Sequence, residues 1–404
     1  YGVIGGVAGA AIAAGPLIGG YVTTYFSWRW VFAGETVVVV FILLFRRRMV
    51  PAPAAEHRPK LDVVGATFSA IGLGLVVFAI LKASTWGWIA SKSPPTINGH
   101  EVTLFGLSIV PFLIAAGLGF LMLFGWWEER RERRGQDTLL HRALLKIEPL
   151  TAGLSTLATM QLVLLGTFFV LPVYLQVVLG LDAFETGKRL FPMSISMLIA
   201  ALLGPKMAAR RSPRRVCQVG LLAMSGAALL LMGTIDVELH GTGFSISLIM
   251  FGIGAGLLMS QLGNVIMSSA PPEESNEAGG LQGTAQNLGA SLGTALIGAI
   301  LLTSLTNSFV SRIEQNPALP KNVSTTISQE AAKGIDIVTV EQVRQGARDA
   351  GLPPRQADAV AEDYGNAQID GLKVAMLGVA ILAFLGLWFT RRLPAKPLGQ
   401  ATAG

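Results

Sequence analysis

Long apolar stretches, each bounded by charged residues or by tryptophan, dominate the chain. Ten of them approach the roughly 20 residues that a helix needs to cross a bilayer core with its own backbone amides satisfied. They lie near residues 2–25, 29–45, 62–82, 104–127, 150–178, 188–209, 215–235, 243–268, 278–306 and 371–390. Charged positions are bunched between them, mainly in 46–62, 128–148, 206–215, 312–373 and 391–396. The pattern predicts an all-α integral membrane protein with ten transmembrane helices. All seven tryptophans, Trp28, Trp30, Trp86, Trp88, Trp126, Trp127 and Trp388, stand at predicted span ends, where an amphipathic ring belongs.

Composition agrees with this class. Charged residues make up 14% of the 404 positions and hydrophobic residues 51%, with a mean hydropathy of +0.56; ordinary soluble proteins are about 25% charged. Glycine reaches 47, an enrichment that closely packed membrane helices use. A net charge of +6 is compatible with a nucleic-acid binder, but the placement of the bases says otherwise. The connections after the second, fourth, sixth and tenth spans hold nineteen Lys and Arg. The short connections opposite hold only Arg29, Lys82, Lys92, Lys188 and Arg189. Basic loops stay in the cytoplasm, so both termini are expected there, in a plasma membrane such as the bacterial inner membrane. Residues 269–277 carry Glu273, Glu274 and Glu277 without a base, an exception that a statistical rule tolerates. Cys217 is the one cysteine, so no intrachain disulfide forms. Tyr1 is not an initiator and residues 1–28 are uncharged, so no basic region opens a signal peptide. The chain reads as beginning inside a longer membrane protein.

The long connection 307–370 falls on the outer side. Thr339-x-x-Gln342 has capping-box spacing, a helix is expected to run from it to Gly351, and Pro353-Pro354 is placed to open another leading into the last span. A small helical cap is expected; whether it meets substrate or is only a solvated excursion stays open.

The first span holds Gly15-Pro16-Leu17-Ile18-Gly19-Gly20, preceded by Gly2, Gly5, Gly6, Gly9 and several alanines. Small residues let helix backbones approach, and Pro16 removes an amide donor and bends the helix, which makes a packing hinge. Composition alone fits any tightly packed span. The spacing resembles the Gly-x8-Gly-x3-Gly-Pro-x2-Gly-Gly signature in the fifth helix of the drug:proton antiporters of the major facilitator superfamily. Gly2, Gly15, Pro16, Gly19 and Gly20 match it, and Ala11 replaces one glycine. Trp28-Arg29-Trp30-Val31-Phe32 resembles the start of the next helix in the branch with fourteen spans. Leu61-Asp62-x-x-Gly65, Trp86-Gly87-Trp88, Tyr174-Leu175-Gln176 and the run from Pro271 to Gly293 agree with that branch.

The resemblance implies a major facilitator fold whose first four helices are absent from this chain. Residues 1–50 would end the amino-terminal bundle, 51–149 would hold an inserted helix pair, and 150–404, with the outer loop 307–370, would form the carboxy-terminal six-helix bundle. Alternating access needs both bundles, so this chain alone is not expected to transport. The resemblance also implies a multi-pass exporter with no cofactor beyond the proton gradient. Its partners would be the bilayer, a small-molecule substrate, protons and the preceding helices of the parent protein, with no nucleic acid.

Candidate site residues are sparse. Glu35 is the one carboxylate well inside an apolar run, which suggests a proton or cation site; hydration at the outer face or pairing with Arg29 is the alternative. Gln161, Tyr174, Gln176, Gln261, Asn264, Gln282 and Gln286 interrupt spans of the second bundle, either as cavity wall or as bonds between helices. Gln282 with Gln286, and Gln261 with Asn264, share helix faces. Met193, Met197 and Met259 would supply an adaptable apolar wall or plain core. The inner loop with Gly204, Met207, Arg210, Arg214 and Arg215 resembles the superfamily's gate loop, with Ala208 where that loop has an acid; a topology signal is the other reading. His57, His100, His141 and His240 are scattered, and no nucleophile, metal or phosphate motif indicates an enzyme. Proton-driven export of lipophilic or cationic drugs or secondary metabolites leads. Transport of one metabolite or lipid, and a non-transporting membrane scaffold, are the alternatives.

Overall fold

The structure is a computed structural model that describes residues 2–45, 62–91, 93–97, 100–101, 103–141, 143–208, 210–236, 241–332 and 334–396; of residues 2–13, 84, 97, 100–101 and 273 it describes the backbone alone. Twelve α-helices are seen among them. They are α1 (Gly2–Tyr25), α2 (Arg29–Phe45), α3 (Val63–Trp86), α4 (Val110–Glu132), α5 (Glu148–Pro172), α6 (Ala183–Ala208), α7 (Pro213–Thr234), α8 (Gly241–Ser269), α9 (Ser275–Gln315), α10 (Lys321–Ala332), α11 (Val340–Asp349) and α12 (Pro354–Thr390). A two-residue antiparallel ribbon, Thr96–Ile97 with His100–Glu101, sits between α3 and α4.

Every predicted span coincides with a helix. Among the described residues eight, α3 to α9 and α12, are long and apolar enough to cross a membrane. The chain is a multi-pass membrane protein. Helix α2 has 17 residues, about 25 Å of rise against a hydrocarbon core of about 30 Å. Successive spans alternate in direction, so the arginine-rich connections share one face, termed the basic face. The basic connection 46–61 lies outside the described residues. Arg29, Lys82, Arg130 and Arg391 each lie over a neighbouring tryptophan ring, Trp28, Trp86, Trp126 and Trp388, at 4.8 to 5.7 Å. These pairs set the charged head and the amphipathic ring at one depth.

Helices α5 to α9 and α12 close around one core that includes Leu150, Met160, Leu171, Leu221, Phe251 and Leu258. In lipid no hydrophobic drive holds helices together, so backbone approach and packing must. A side chain on Gly289 or Gly293 of α9 would collide with the carbonyl oxygen of Ala158 or Leu162 on α5. Gly220 of α7 and Gly254 of α8 face each other in the same way, as do Gly72 of α3 and Gly117 of α4. The α3–α4 pair leans on α9, α1 lies along α6, and α2 has no buried residue.

The outer connection is shorter than the expected 307–370. Helix α9 continues to Gln315 and α12 begins at Pro354, leaving 316–353 for α10, α11 and their turns. The apolar pattern stops near the membrane edge, but the helices do not, because their extensions bond to each other. Arg312 Nη2 and Ser308 Oγ donate to Asp370 Oδ2 at 2.8 and 2.7 Å, and Asn316 Nδ2 donates to Asp363 at 2.6 Å. Phe309, Ile313, Val360 and Tyr364 build a second small core there. Helix α11 starts at Val340 with the expected box: Thr339 Oγ1 accepts the Gln342 amide at 3.3 Å and Gln342 Oε1 accepts the Thr339 amide at 2.9 Å. Helix α4 begins at Val110 rather than near 104, because Phe105 (φ 52°) and Gly106 (φ 75°) form a turn that no helix tolerates.

Gly293→Val should lower the melting temperature of the purified protein in detergent, since overpacking typically costs about 1–3 kcal/mol. Gly279→Ala, which meets nothing within 4 Å, should leave it unchanged or raise it by up to about 1 kcal/mol of helix propensity. Equal effects would show that backbone approach does not hold α5 to α9.

Candidate functional site

The glycine-rich motif of α1 lies against the start of α6. Pro16 and Gly20, one turn apart, receive Ala183 and Gly187, also one turn apart. A Cβ on Gly20 would strike the Ala183 carbonyl, and one on Gly187 would strike that of Pro16. Gly15 and Gly19 behave differently, since a Cβ there would meet nothing within 4 Å. Thus Gly20 supplies the contact, whereas Gly15 and Gly19 flank the proline on open surface. Of Gly2 and Ala11, earlier in the motif, only the helical backbone is described.

The seam is finished by polar and aromatic groups at the end away from the basic face. The amide of Phe184 donates to Thr24 Oγ1 at 3.1 Å, and the amide of Glu185 donates to Asp182 Oδ1 at 2.7 Å, so two of the unsatisfied donors at the α6 N-terminus are used. The Phe184 ring meets Tyr21 and Tyr25 edge-on at 5.6 and 5.7 Å, and Lys188 Nζ lies 4.9 Å over the same ring. Sequence reasoning placed the hinge on α1 but did not find Phe184, Thr24 or Gly187, because nothing in the local pattern says which helix α1 meets.

The polar candidates separate by environment. Gln261 is buried on α8, where its amide donates to the Gly204 carbonyl of α6 at 3.2 Å and to Ser260 Oγ at 3.0 Å, so it bonds helix to helix. Tyr174 is buried in a π-helical turn (Val173–Val178) after Pro172, and its hydroxyl donates to the Asp236 carbonyl at 2.9 Å. Both residues serve packing in this conformation. Gln161, Gln282 and Gln286 are half-buried, whereas Gln176 and Asn264 are exposed. The Gln282 amide approaches Gly263. Met193 and Met197 are buried in the core. Glu35 is exposed on α2. Between Trp88, α9 and Val374 of α12 opens a cleft of about 540 Å³, walled by Ile300, Thr303, Ser304 and Asn307 among others.

On the basic face, Gly204 packs against Ser260, Arg210 is exposed, and the Arg214 amide donates to the Pro394 carbonyl beyond α12 at 3.3 Å. Among the described residues no ion pair joins Arg210 or Arg214 to an acid. A tie that the sequence did not reveal crosses this face: His141 Nδ1 lies 2.7 Å from Glu277 Oε1, and the His141 amide donates to Oε2 at 3.1 Å. Burial alone would lower the His141 pKa; the hydrogen bond and charge of Glu277, with Glu274 and Glu132 nearby, overcome it and raise the group above its ordinary value. No metal-holding group of His, Cys, Asp or Glu occurs among the described residues.

Gly187→Val should detach the end of α1 from α6, seen as faster proteolysis of α1, while Gly19→Ala should not; equal protection would remove Gly187 from the seam. Because the His141 pKa is raised, the stability it contributes is complete below about 6.5 and fades as pH rises through the raised value. The pair is partly exposed, so the loss should stay below about 1 kcal/mol. It should be visible as a melting temperature that falls on alkalinisation in the wild type and is flatter in His141→Gln.

Comparison with known proteins adds to this geometry. Residues 1–294 match the family model described as Major Facilitator Superfamily. The tetracenomycin C resistance and export protein of Streptomyces glaucescens is 30% identical, over 100% of this chain and 71% of its own length. The probable actinorhodin transporter of Streptomyces coelicolor is 23% identical, over 98% of this chain and 70% of its own. The multidrug efflux pump LfrA of Mycolicibacterium smegmatis is 25% identical, over 95% and 69%. With this match across most of its length, the chain belongs to the major facilitator superfamily of membrane transporters.

Proposed function

We propose that the chain is the larger part of a proton-coupled exporter of drugs or lipophilic secondary metabolites, of the branch with fourteen helices. The observation that carries the reading is the seating of Pro16 and Gly20 against Ala183 and Gly187. In a transporter that rocks one bundle against another, a seam with no side chains between two backbones is a bearing on which the bundles can tilt. Pro16, without an amide donor, removes one hydrogen bond from the helix at that bearing and makes it easier to bend there. The relatives named for tetracenomycin C export, actinorhodin transport and multidrug efflux favour a lipophilic substrate.

In this reading residues 1–50 close an amino-terminal bundle whose earlier helices precede this chain, which accounts for an α2 without buried residues. Residues 51–149 are the inserted pair and 150–404 the carboxy-terminal bundle. The basic face and both termini are cytoplasmic, in a bacterial inner membrane. Gln161, Gln176, Asn264, Gln282 and Gln286 line the cavity, where amides orient a substrate without fixing its charge. Glu35 attracts a cation or binds the proton. Gly204, Arg210 and Arg214 belong to the gate on the cytoplasmic side.

The test is transport by the full-length protein in sealed vesicles. Adding a lipophilic cationic substrate should release protons in proportion to uptake. Glu35→Gln should impair export of cations more than of neutral compounds, and Pro16→Ala should insert normally but leak protons. Saturable transport of one metabolite without proton movement would overturn the antiport reading, and equal loss for both substrate types would remove Glu35 from it.

A further inference from the structure

At the basic-face ends of α3 and α4 lies a polar cluster that the seam does not use. Asp62 caps α3. Its Oδ1 accepts the Gly65 amide at 3.0 Å, the Trp127 indole donates to Oδ2 at 2.9 Å, and Arg131 Nε stands 3.5 Å from Oδ2. Glu128 of α4 is 1% exposed and Asp62 2%. Glu128 Oε2 accepts the Leu140 amide at 3.1 Å, but Oε1, fully enclosed, has no donor. What faces it is the other carboxylate. Asp62 Oδ2 and Glu128 Oε1 lie 2.5 and 2.6 Å from the point that a Cβ of Gly65 would occupy, so a missing side chain is what lets them meet. Arg131 does not serve Glu128, because its Nε and Nη2 donate to the Asp137 carbonyl at 2.9 and 2.7 Å.

Two enclosed carboxylates facing each other cannot both be ionised cheaply, and an acceptor without a donor is itself unfavourable. One proton between them removes both penalties. We propose that Asp62 and Glu128 form a proton-binding site, with Glu128 holding a proton on Oε1 that it donates to Asp62, and that release of this proton loosens the segment 137–141.

The division of roles follows from the partners. Asp62 takes N–H donors from Gly65 and Trp127 and has the Arg131 guanidinium beside it, all of which suit the ionised form; Glu128 has no cation and takes only backbone amides, that of Leu140 with Leu139 adjoining. Burial works to raise the Asp62 pKa, yet the Gly65 amide, the hydrogen bond with Glu128, Trp127 and Arg131 together bring it below the ordinary value. Segment 137–141 is held at successive amides by two helices: Leu140 by Glu128 of α4, and His141 by Glu277 of α9. When Glu128 loses its proton, repulsion from Asp62 drives it outward and withdraws the acceptor from Leu140. The other charged groups here include Arg131 and Glu132 of α4, Asp137 and His141 of the segment, and Glu274 and Glu277 at the start of α9. His141 loses its charge as pH rises, so both ties of the segment, at Leu140 and His141, loosen in the same direction: closed in acid, released in alkali.

Infrared difference spectroscopy of the purified protein tests the site. A carboxylic C=O stretch that shifts in D2O should be present at neutral pH, disappear in alkali, and be absent in Glu128→Gln. In Asp62→Asn, with no negative neighbour, the band should disappear at lower pH than in the wild type. A wild type without the band at neutral pH, or a band untouched in both variants, overturns the proposal. So does a spectrum that changes on adding sodium or potassium chloride but not on changing pH, since the pair would then be ionised around a metal cation. For the segment, the thiol of Leu139→Cys should react with a water-soluble maleimide several-fold faster at alkaline than at neutral pH, beyond the increase in a Leu139→Cys, Glu128→Gln double variant. Equal ratios would refute the coupling to 137–141.

Discussion

Close approach of helix backbones, made possible where a side chain is missing, is the constraint on which the rest of this structure depends. Lipid tails are as apolar as leucine, so burying a leucine between two membrane helices gains little over leaving it in the bilayer. Dispersion contact and shape must do instead, and both fall steeply with distance. The chain meets this requirement at several crossings with the same device. Gly289 and Gly293 seat α9 on α5, Gly220 and Gly254 join α7 to α8, Gly72 and Gly117 join α3 to α4, and Gly20 and Gly187 join α1 to α6. Within the six-helix bundle these contacts make a rigid body. At α1 the same contact joins that bundle to the first helix of the chain.

Polar groups then mark where motion is resisted. Gln261 fastens α8 to Gly204 of α6, and the Tyr174 hydroxyl fastens the π-helical turn after α5 to Asp236. Neither bond crosses the α1–α6 seam. What crosses it is the Phe184 amide on Thr24 and the rings of Tyr21 and Tyr25 around Phe184. The basic face has its own ties, Glu128 to Leu140 and Glu277 to His141, which join the α3–α4 pair to α9 through one short segment. These ties are ionisable where those of the core are not. In the proposed proton site, therefore, proton concentration acts at the periphery of the bundle.

Much of the architecture was legible in the sequence because bilayer thickness writes itself into it. Span positions, the all-helical class, the tryptophan belt and the Thr339-Gln342 box follow from local rules that need no knowledge of neighbours. The length of α9 and α12 did not follow, since the pairing of Arg312 with Asp370 that sustains them joins residues 58 apart. Asp62-x-x-Gly65 was read as a family likeness, although its spacing is also that of a cap whose third helical residue supplies the amide. Glu128 was counted among loop charges, because only the fold turns it inward. Gln261 and Asn264 share a helix face in the sequence, yet one is buried and the other exposed, which depends on where α6 crosses α8.

The account stands most directly on the seam between α1 and α6. Replacing Thr24 and Phe184 together by cysteine puts thiols on two residues that already touch, the Phe184 backbone amide meeting the Thr24 hydroxyl at 3.1 Å, which brings their backbones within about the 7 Å that a disulfide can span. In membranes treated with a mild oxidant, the account predicts a rapid intramolecular crosslink between α1 and α6, with buried Cys217 taking no part. Absence of that crosslink, with ready crosslinking of a cysteine at Thr23 to position 184 instead, would show that α1 does not meet α6 through its glycine face, and the hinge reading would fail.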